Sequence, residues 1–415
     1  MFVSCEKKKD SYLEISEKIK DLKQSENSKK ELEKLFIDIN LIEVDSSRLS
    51  LLNKLFAKSN RYKFNQLSSL LLKKVDSSEI EKYDEINAKF LINKALYYRG
   101  IGSLDSSYYF YNEAKKKNES IKYIKGVLTS LYGLAEIEAK FNNYTSSELK
   151  LKKIIYYTKN SGNIKMHYIS LITLGNNYMN EGNYKQSLIY HNKAYNFYLK
   201  NKESINIEFL HREVYLNNIG NVYKHLGKYK DAISLFKRAL KTRSIIIKKD
   251  SELYGLLVSN LGFCLLKAGN YKDANAKFNL AEKIFKSINN KEELALVLIQ
   301  KAELYSKLNN KQKSFLLGKE SLKLSREAKA LKCELYVLEK LIDFDNERLK
   351  NIRDYINLRN KIEFIDEKSR NTFYNIQLET NQIAQAKEKA ETQRNQILLA
   401  IGILLLISGF LFIMY

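Results

Sequence analysis

A repeated pattern of small and aromatic residues constrains the fold of this chain more than any other feature of its sequence. Three segments, which begin at Leu174, Ile219 and Leu261, align without gaps. Each has an apolar residue followed by Gly, a second Gly seven residues later, a Tyr two residues after that, and then a small residue, a bulky residue and an Ala. These positions hold Gly175, Gly182, Tyr184, Ser187, His191 and Ala194 in the first segment; Gly220, Gly227, Tyr229, Ala232, Phe236 and Ala239 in the second; and Gly262, Gly269, Tyr271, Ala274, Phe278 and Ala281 in the third. Such a repeat predicts one structural unit that is built several times.

The chemistry of these positions predicts a pair of antiparallel helices, which we call helix A and helix B. The first Gly lets the two helices lie close together. The second Gly ends helix A because it readily adopts the left-handed backbone conformation of a helix C-terminus. The bulky residue and the Ala after it lie on the buried side of helix B. Since one pair cannot cover its own apolar face, successive pairs are expected to stack on one another.

This pattern resembles the tetratricopeptide repeat, although the usual Trp of the first turn is absent and His191 stands at a place that is usually aromatic. Weaker copies surround Ala95, Ala135 and Ala302, so the resemblance covers residues from roughly 90 to 330. It implies an all-α fold, a right-handed superhelical solenoid of antiparallel helix pairs. We expect the solenoid at 51–345, with the best repeats at 169–285, after a helical, signal-like region at 1–50.

The distance between repeats indicates an extended variety of this fold. The small residues of helix A, from Ala95 to Ala302, are 40, 40, 45, 42 and 40 residues apart, against about 34 in the standard repeat. The chain also contains no Pro, the residue that often ends helix B in the standard repeat. We therefore expect longer second helices and looser turns. The spacing resembles the extended repeats of kinesin light chains and of bacterial peptide-sensing regulators.

The C-terminal part of the sequence predicts a long helix and a membrane span. Residues 397–415 are 19 consecutive residues without a charge, enough to cross a hydrocarbon core of roughly 30 Å as a helix. We expect a single transmembrane helix there, preceded by one long helix at 346–396. Apolar residues recur at a seven-residue interval from Ile362 to Ile397, but their companion positions are mostly polar. The long helix therefore forms either a weak coiled coil, with a homodimer through 346–415, or a cap on the solenoid.

The N-terminus bears on how the chain would be oriented in a membrane. The segment that ends at Cys5 resembles the end of a bacterial lipoprotein signal peptide, in which the Cys is lipidated, but the apolar stretch that should precede it is missing. Such a start places the repeats outside the cytoplasm, and we expect a single-pass protein with a periplasmic repeat region. Lys387, Lys389 and Arg394 favour the opposite orientation. The alternative is a tail-anchored scaffold that faces the cytoplasm and assembles a membrane complex.

No catalytic or cofactor motif is present in the sequence. It contains no phosphate-binding loop, metalloprotease motif, nucleophile elbow or dinucleotide fingerprint. The four His residues are spread singly, and the three Cys residues form no C-x-x-C pair, so we predict no metal site, no cofactor and no enzymatic activity. The net charge of +23 would suit nucleic acid, but the basic residues are spread along the chain among acidic ones. We therefore expect no nucleic-acid partner.

The candidate binding residues lie on helix A, which lines the concave surface in the resembled family. Residues three or four positions apart share one face of a helix. Asn offers both donors and acceptors to an extended peptide backbone, peptide-binding members of the resembled group use groove asparagines in this way, and nearby Lys residues favour carboxylates. The predicted groove residues are Asn176, Asn180, Asn217, Asn221, Lys224, His225, Ser259 and Lys267. The alternative is that these side chains merely face solvent in an Asn-rich chain.

The order of the segments suggests a role in signalling. It resembles the sensor half of bacterial membrane-bound regulators, in which tetratricopeptide repeats precede a histidine kinase or a helix-turn-helix module. We therefore expect a membrane-anchored protein that binds a peptide or protein partner in its concave groove. It would act as the sensing or scaffold part of a signal-transduction system, separate from the output module.

Overall fold

The chain is helical throughout the part that the structure describes. In a computed structural model of the protein, the described residues are 2–22, 27–42, 45–75, 79–159, 162–201, 212–241, 251–344 and 348–414. The description leaves out the side chains of 2–11, 251, 343–344, 369, 383–384, 387–388 and 405–414. These residues form α-helices and one short 3-10 helix, Ile80–Lys82, with no β-strand among them. The predicted all-α fold class is confirmed.

Two compact units divide the chain: Met1–Phe141 together with Ser369–Tyr415, and Asn142–Lys368. The helices of the first unit are α1 (Phe2–Asp21), α2 (Ser28–Asn40), α3 (Ser46–Arg61), α4 (Asn65–Val75), α5 (Asp84–Gly100), α6 (Leu104–Ser120) and α7 (Ile124–Lys140). The second unit holds α8 (Tyr144–Thr158), α9 (Ile164–Asn180), α10 (Tyr184–Asn201), α11 (Arg212–His225), α12 (Tyr229–Lys241), α13 (Ser251–Lys267), α14 (Tyr271–Ser287), α15 (Lys291–Lys307), α16 (Lys311–Glu327) and α17 (Leu331–Phe344). The last helix, α18 (Arg348–Met414), contributes residues to both units.

The predicted helix pairs are present. In the second unit, α9 packs on α10, α11 on α12, α13 on α14 and α15 on α16, and in the first unit α5 packs on α6. Neighbouring pairs of the second unit also stack, as the contacts of α12 with α13 and of α14 with α15 show. The tetratricopeptide-like arrangement of stacked antiparallel helix pairs is therefore confirmed.

The length of the helices explains the repeat distance of 40 residues. Both helices of the α13–α14 and α15–α16 pairs contain 17 residues, and the turns between them contain three. Two such helices and two such turns account for the spacing. The extra residues are thus shared between helix A and helix B, and the turns are short, whereas the sequence had led us to expect long second helices with loose turns.

The short turns depend on one residue with a positive φ angle. Gly182, Gly227 and Gly269, the second glycines of the pattern, have φ angles of 83°, 72° and 81°, as predicted for the end of helix A. The corresponding turns at the ends of α14 and α15 use Asn289 and Asn309, with φ angles of 52° and 58°. Asn tolerates this conformation better than most residues with a side chain. Part of the Asn content of the chain therefore serves the turns.

The small residues of the pattern allow helix A and helix B to touch. A Cβ atom on Gly220 would lie 2.6 Å from the ring of Phe236, so only Gly lets this ring pack against α11. In another pair, Ser187 donates a hydrogen bond of 2.8 Å to the backbone oxygen of Gly175. Ser107 and Ser314 make the same bond in their own pairs. These contacts join the two small positions of one repeat directly.

The long helix α18 packs against the first unit through Phe373, which is 4% exposed. Its ring lies 4.7 Å from the ring of Phe141 and 5.3 Å from that of Tyr108. Gln377 adds a hydrogen bond of 3.3 Å to the Tyr108 hydroxyl. The predicted coiled coil and homodimer through 346–415 stay predictions, as do the predicted domain limits.

The predicted transmembrane helix is wrong. Residues 397–414 continue α18, and no helix among the described residues is long and apolar enough to cross a membrane. The predicted single-pass localisation with a periplasmic repeat region depended on this helix and is wrong with it. The tail-anchored alternative loses the same support.

The proposed lipidation site, Cys5, lies within α1. Its side chain is outside the described residues, so lipidation of Cys5 stays a prediction.

Candidate functional site

The predicted groove residues all lie on helix A members of the second unit. α9 carries Asn176 and Asn180; α11 carries Asn217, Asn221, Lys224 and His225; and α13 carries Ser259 and Lys267. Gly220 of α11 packs against the Phe236 ring of α12, and Gly262 of α13 packs against the Phe278 ring of α14. These contacts fix which face of each A helix is turned towards its helix B. The residues that directly follow them, Asn221 and Phe263, are then left partly exposed.

A hydrogen-bonded row of side chains connects α11 with α13. The Nδ2 atom of Asn260 donates to Oδ1 of Asn217 over 3.2 Å, and Nζ of Lys224 donates to Oδ1 of Asn260 over 2.7 Å. All three side chains are partly buried. Because Asn260 both donates and accepts, it holds the two predicted residues in fixed positions. Asn217 and Lys224 are therefore brought together, though through a residue that was not predicted.

The aromatic ring of Phe263 lies beside this row, with two lysine ammonium groups near it. Nζ of Lys224 is 5.7 Å from the centre of the Phe263 ring, and Nζ of Lys267 is 5.3 Å from it. Both distances are within the range of cation–π attraction. Lys267 also forms an ion pair with Glu303 on α15, so its charge is already balanced within the unit.

The environment of Lys224 disfavours its charge. Burial lowers the pKa of its ammonium group, and the nearby Cys264 and Glu293 act in the opposite direction. Burial likewise lowers the pKa of His225, and the charge of Lys224 lowers it further. The His225 ring stacks on Tyr184 with ring centres 5.2 Å apart. His225 therefore packs against the start of α10 and is not part of the hydrogen-bonded row.

Three other predicted residues are also outside the row. Ser259 is only 6% exposed and is buried within its unit. Asn176 is partly buried and Asn180 is exposed, and neither has a hydrogen bond to the row among the described residues. The neighbour Asn177 instead points inwards and donates a hydrogen bond of 2.9 Å to Ser147.

The sequence prediction missed Asn260, Phe263 and Glu303. Asn260, Phe263 and Lys267 are three and four residues apart, a spacing that places them on one face of α13. This spacing could have led us to predict Asn260 as a groove residue in place of Ser259. Two buried oxygen atoms, Oδ1 of Asn221 and Oε2 of Glu303, have no hydrogen-bond partner among the described residues. Both atoms lack the partner that a buried polar atom normally has.

The described residues offer little for catalysis. No group of three or more His, Cys, Asp or Glu residues suited to a metal ion occurs among them. Cys264 and Cys333 are buried free thiols, and burial raises the pKa of each to about 12. Such thiols are protonated at neutral pH and are poor nucleophiles.

Comparison with known proteins agrees with the fold. A family model described as tetratricopeptide repeat matches residues 211–287, which contain α11 to α14. No curated protein sequence matches the chain.

Solved structures with the same fold cover most of the chain. The apo form of RapI has 17% sequence identity and a TM-score of 0.65, over 86% of this chain and 98% of its own. The apo form of the quorum sensor NprR from B. thuringiensis has 13% identity and a TM-score of 0.58, over 86% of this chain and 99% of its own. A Rap protein complexed with competence and sporulation factor has 16% identity and a TM-score of 0.54, over 86% and 97%. These similarities show a shared fold. The similar structures are those of Rap and NprR proteins, whereas the sequence had suggested membrane-bound sensor kinases.

Proposed function

We propose that this chain is a non-enzymatic, tetratricopeptide-type protein that binds a peptide, or an extended segment of a protein partner, along the helix A face of its second unit. The observation that carries this proposal is the row formed by Asn217, Asn260 and Lys224. It places amide groups and a cation side by side on two successive A helices.

The chemistry of the row suits an extended backbone. A peptide presents alternating N–H and C=O groups, and the Asn side chains can accept from the first and donate to the second. The buried Oδ1 atom of Asn221, which has no partner among the described residues, offers a further acceptor beside Asn217. Side chains that already hold one another in place lose little entropy when a ligand binds.

Two of the similar structures support a peptide as the ligand class. One is a Rap protein complexed with competence and sporulation factor. Another, the Rap conjugation gene regulator of plasmid pLS20, is in complex with the Phr* peptide, with 17% identity and a TM-score of 0.55. At such identities the likeness concerns the fold, so the side chains of α11 and α13 remain the basis of the proposal. We further propose that binding serves signal transduction, as sensor or scaffold.

Replacing both Asn217 and Asn221 with alanine is expected to weaken peptide binding about tenfold or more. Each lost hydrogen bond contributes about 0.5 to 1.5 kcal/mol, and 1.4 kcal/mol corresponds to a factor of ten in affinity. The measurement is calorimetric titration with peptides that the unaltered full chain retains from a library of random hexapeptides. The free energy of unfolding should fall by only about 1 kcal/mol, because Asn260 loses one acceptor.

The matched control is Asn279→Ala, which removes an exposed Asn from helix B of the α13–α14 pair. This variant should bind the retained peptides as the unaltered chain does. If the double variant also bound them with unchanged affinity, α11 would not be the binding site.

A further inference from the structure

At two places in the chain, an ion pair joins one A helix to the next. Arg99 of α5 pairs with Glu136 of α7, within the first unit. Lys267 of α13 pairs with Glu303 of α15, within the second. In both cases the cation comes four or five residues after the small residue of its own helix, and the carboxylate directly follows the small residue of the next A helix.

No such ion pair joins α11 to α13 among the described residues, although the cation is present. Lys224 comes four residues after Gly220, as Arg99 comes four residues after Ala95. The position directly after Gly262, which corresponds to Glu136 and Glu303 in the two ion pairs, holds Phe263. Lys224 therefore meets a neutral amide oxygen at 2.7 Å and an aromatic ring at 5.7 Å, and has no ion pair within the described part of the chain.

An ammonium group in this position is held at an energetic disadvantage. Removing a cation from water is costly unless a negative charge is close by. No ion pair among the described residues joins Lys224 to Glu293, although the charge of Glu293 favours the charged form of Lys224, and burial raises the pKa of Glu293 itself. Lys267, which also lies near the Phe263 ring, is already neutralised by Glu303. Lys224 is thus a partly buried cation of the groove that has no ion-pair partner among the described residues.

We propose that Lys224 binds a carboxylate of the peptide ligand, which fills the place that Glu136 and Glu303 hold in the two ion pairs, while the Phe263 ring packs against an apolar part of the ligand beside it. This assignment rests on the proposed peptide-binding function. The carboxylate can belong to an acidic side chain or to a free C-terminus, and both offer the same chemistry to Lys224.

The first experiment uses hexapeptides as the probe. A library of random hexapeptides, each present as the free acid and as the C-terminal amide, is passed over the immobilised full chain, and retained peptides are identified by mass spectrometry. We expect retained peptides to carry a carboxylate at a constant place, and its removal to weaken binding at least about tenfold. Loss on amidation assigns the C-terminus, and loss on Asp→Asn or Glu→Gln replacement within the peptide assigns a side chain.

The second experiment restores the missing carboxylate. Phe263→Glu should pair with Lys224 as Glu136 pairs with Arg99, raise the midpoint of thermal unfolding, and abolish the preference for peptides with a carboxylate. Phe263→Gln is the matched control of equal size without charge; it should bind more weakly than the unaltered chain but keep the preference. Lys224→Gln should remove the preference as Phe263→Glu does.

The outcomes separate this inference from the proposed function. If retained peptides lack a constant carboxylate, or if Lys224→Gln keeps the preference for it, the inference is wrong even where Asn217 and Asn221 are needed for binding. If the unaltered chain retains no hexapeptide at all, the proposed function fails and the inference fails with it.

Discussion

Replacing Phe236 with alanine is expected to lower the free energy of unfolding by about 3 to 5 kcal/mol. The Phe236 ring is completely buried and belongs to the apolar core of the second unit. It fills the space that the missing side chain of Gly220 leaves, since a Cβ atom there would lie 2.6 Å from the ring. Alanine would leave a cavity between α11 and α12 that neither helix can close without moving its neighbours. The measurement is urea denaturation followed by far-ultraviolet circular dichroism, because the chain contains no Trp.

The control for this prediction is Phe364→Ala. Phe364 lies on α18 and is 65% exposed, so its removal creates no cavity and should change stability by less than about 0.5 kcal/mol. Equal losses in the two variants would show that the ring of Phe236 does not hold helix A against helix B.

Lowering the pH from 7.5 to 4.5 is expected to cost about 2 to 3 kcal/mol of stability through His191 alone. His191 takes the place that Phe236 and Phe278 hold in the next two repeats. Its ring packs over Gly175, where a Cβ atom would lie 2.8 Å from the imidazole carbon. Its Nε2 atom is buried and has no hydrogen-bond partner among the described residues. Burial lowers its pKa from 6.5 to about 4.

The direction of the pH effect follows from which state binds protons. Between pH 6.5 and pH 4 the unfolded chain protonates His191 while the folded chain keeps it neutral, so stability falls as the pH falls through this range. Above pH 6.5 the residue is neutral in both states and contributes no pH dependence. Burial also lowers the pKa of His167 and His225, which adds to the effect in the same direction.

The variant His191→Phe isolates the contribution of His191 from those of the other histidines. Urea denaturation of both proteins at pH 7.5 and 4.5 should show that the variant loses about 2 to 3 kcal/mol less than the unaltered chain. The other titrating groups are the same in both proteins. Identical losses would mean that water reaches His191 in the folded chain.

The sequence predicts the helix pairs well because their signals are local. Gly220 and Phe236 are 16 residues apart, and both the close approach and the buried ring follow from helix periodicity on either side of one short turn. The same reasoning predicted the positive φ angles of Gly182 and Gly269. It did not show that Asn289 and Asn309 take that role in the weaker repeats, because Asn also occurs at many exposed positions of this chain.

The candidate site was predicted less completely because it depends on contacts between repeats. Asn217 and Asn260 are 43 residues apart, and their contact depends on how α11 and α13 are rotated against each other. A face counted along one helix cannot provide that rotation, so the contact itself was not predicted, although the spacing of Asn260, Phe263 and Lys267 could have selected Asn260 over Ser259. The membrane prediction failed for another reason: it relied on the composition of 397–415 alone, whereas no described helix is long and apolar enough for a span.

The most direct test of peptide binding by the helix A face is site-specific photo-cross-linking in the full chain. p-Benzoylphenylalanine is placed at Asn221, on the candidate face of α11, or at Lys237, an exposed residue of α12 on helix B of the same pair. Each protein is irradiated with a hexapeptide that the unaltered chain retains, and the adducts are identified by mass spectrometry. Binding along helix A predicts a cross-linked peptide at position 221 and none at 237. Cross-linking at 237 alone, or equally at both positions, would contradict it.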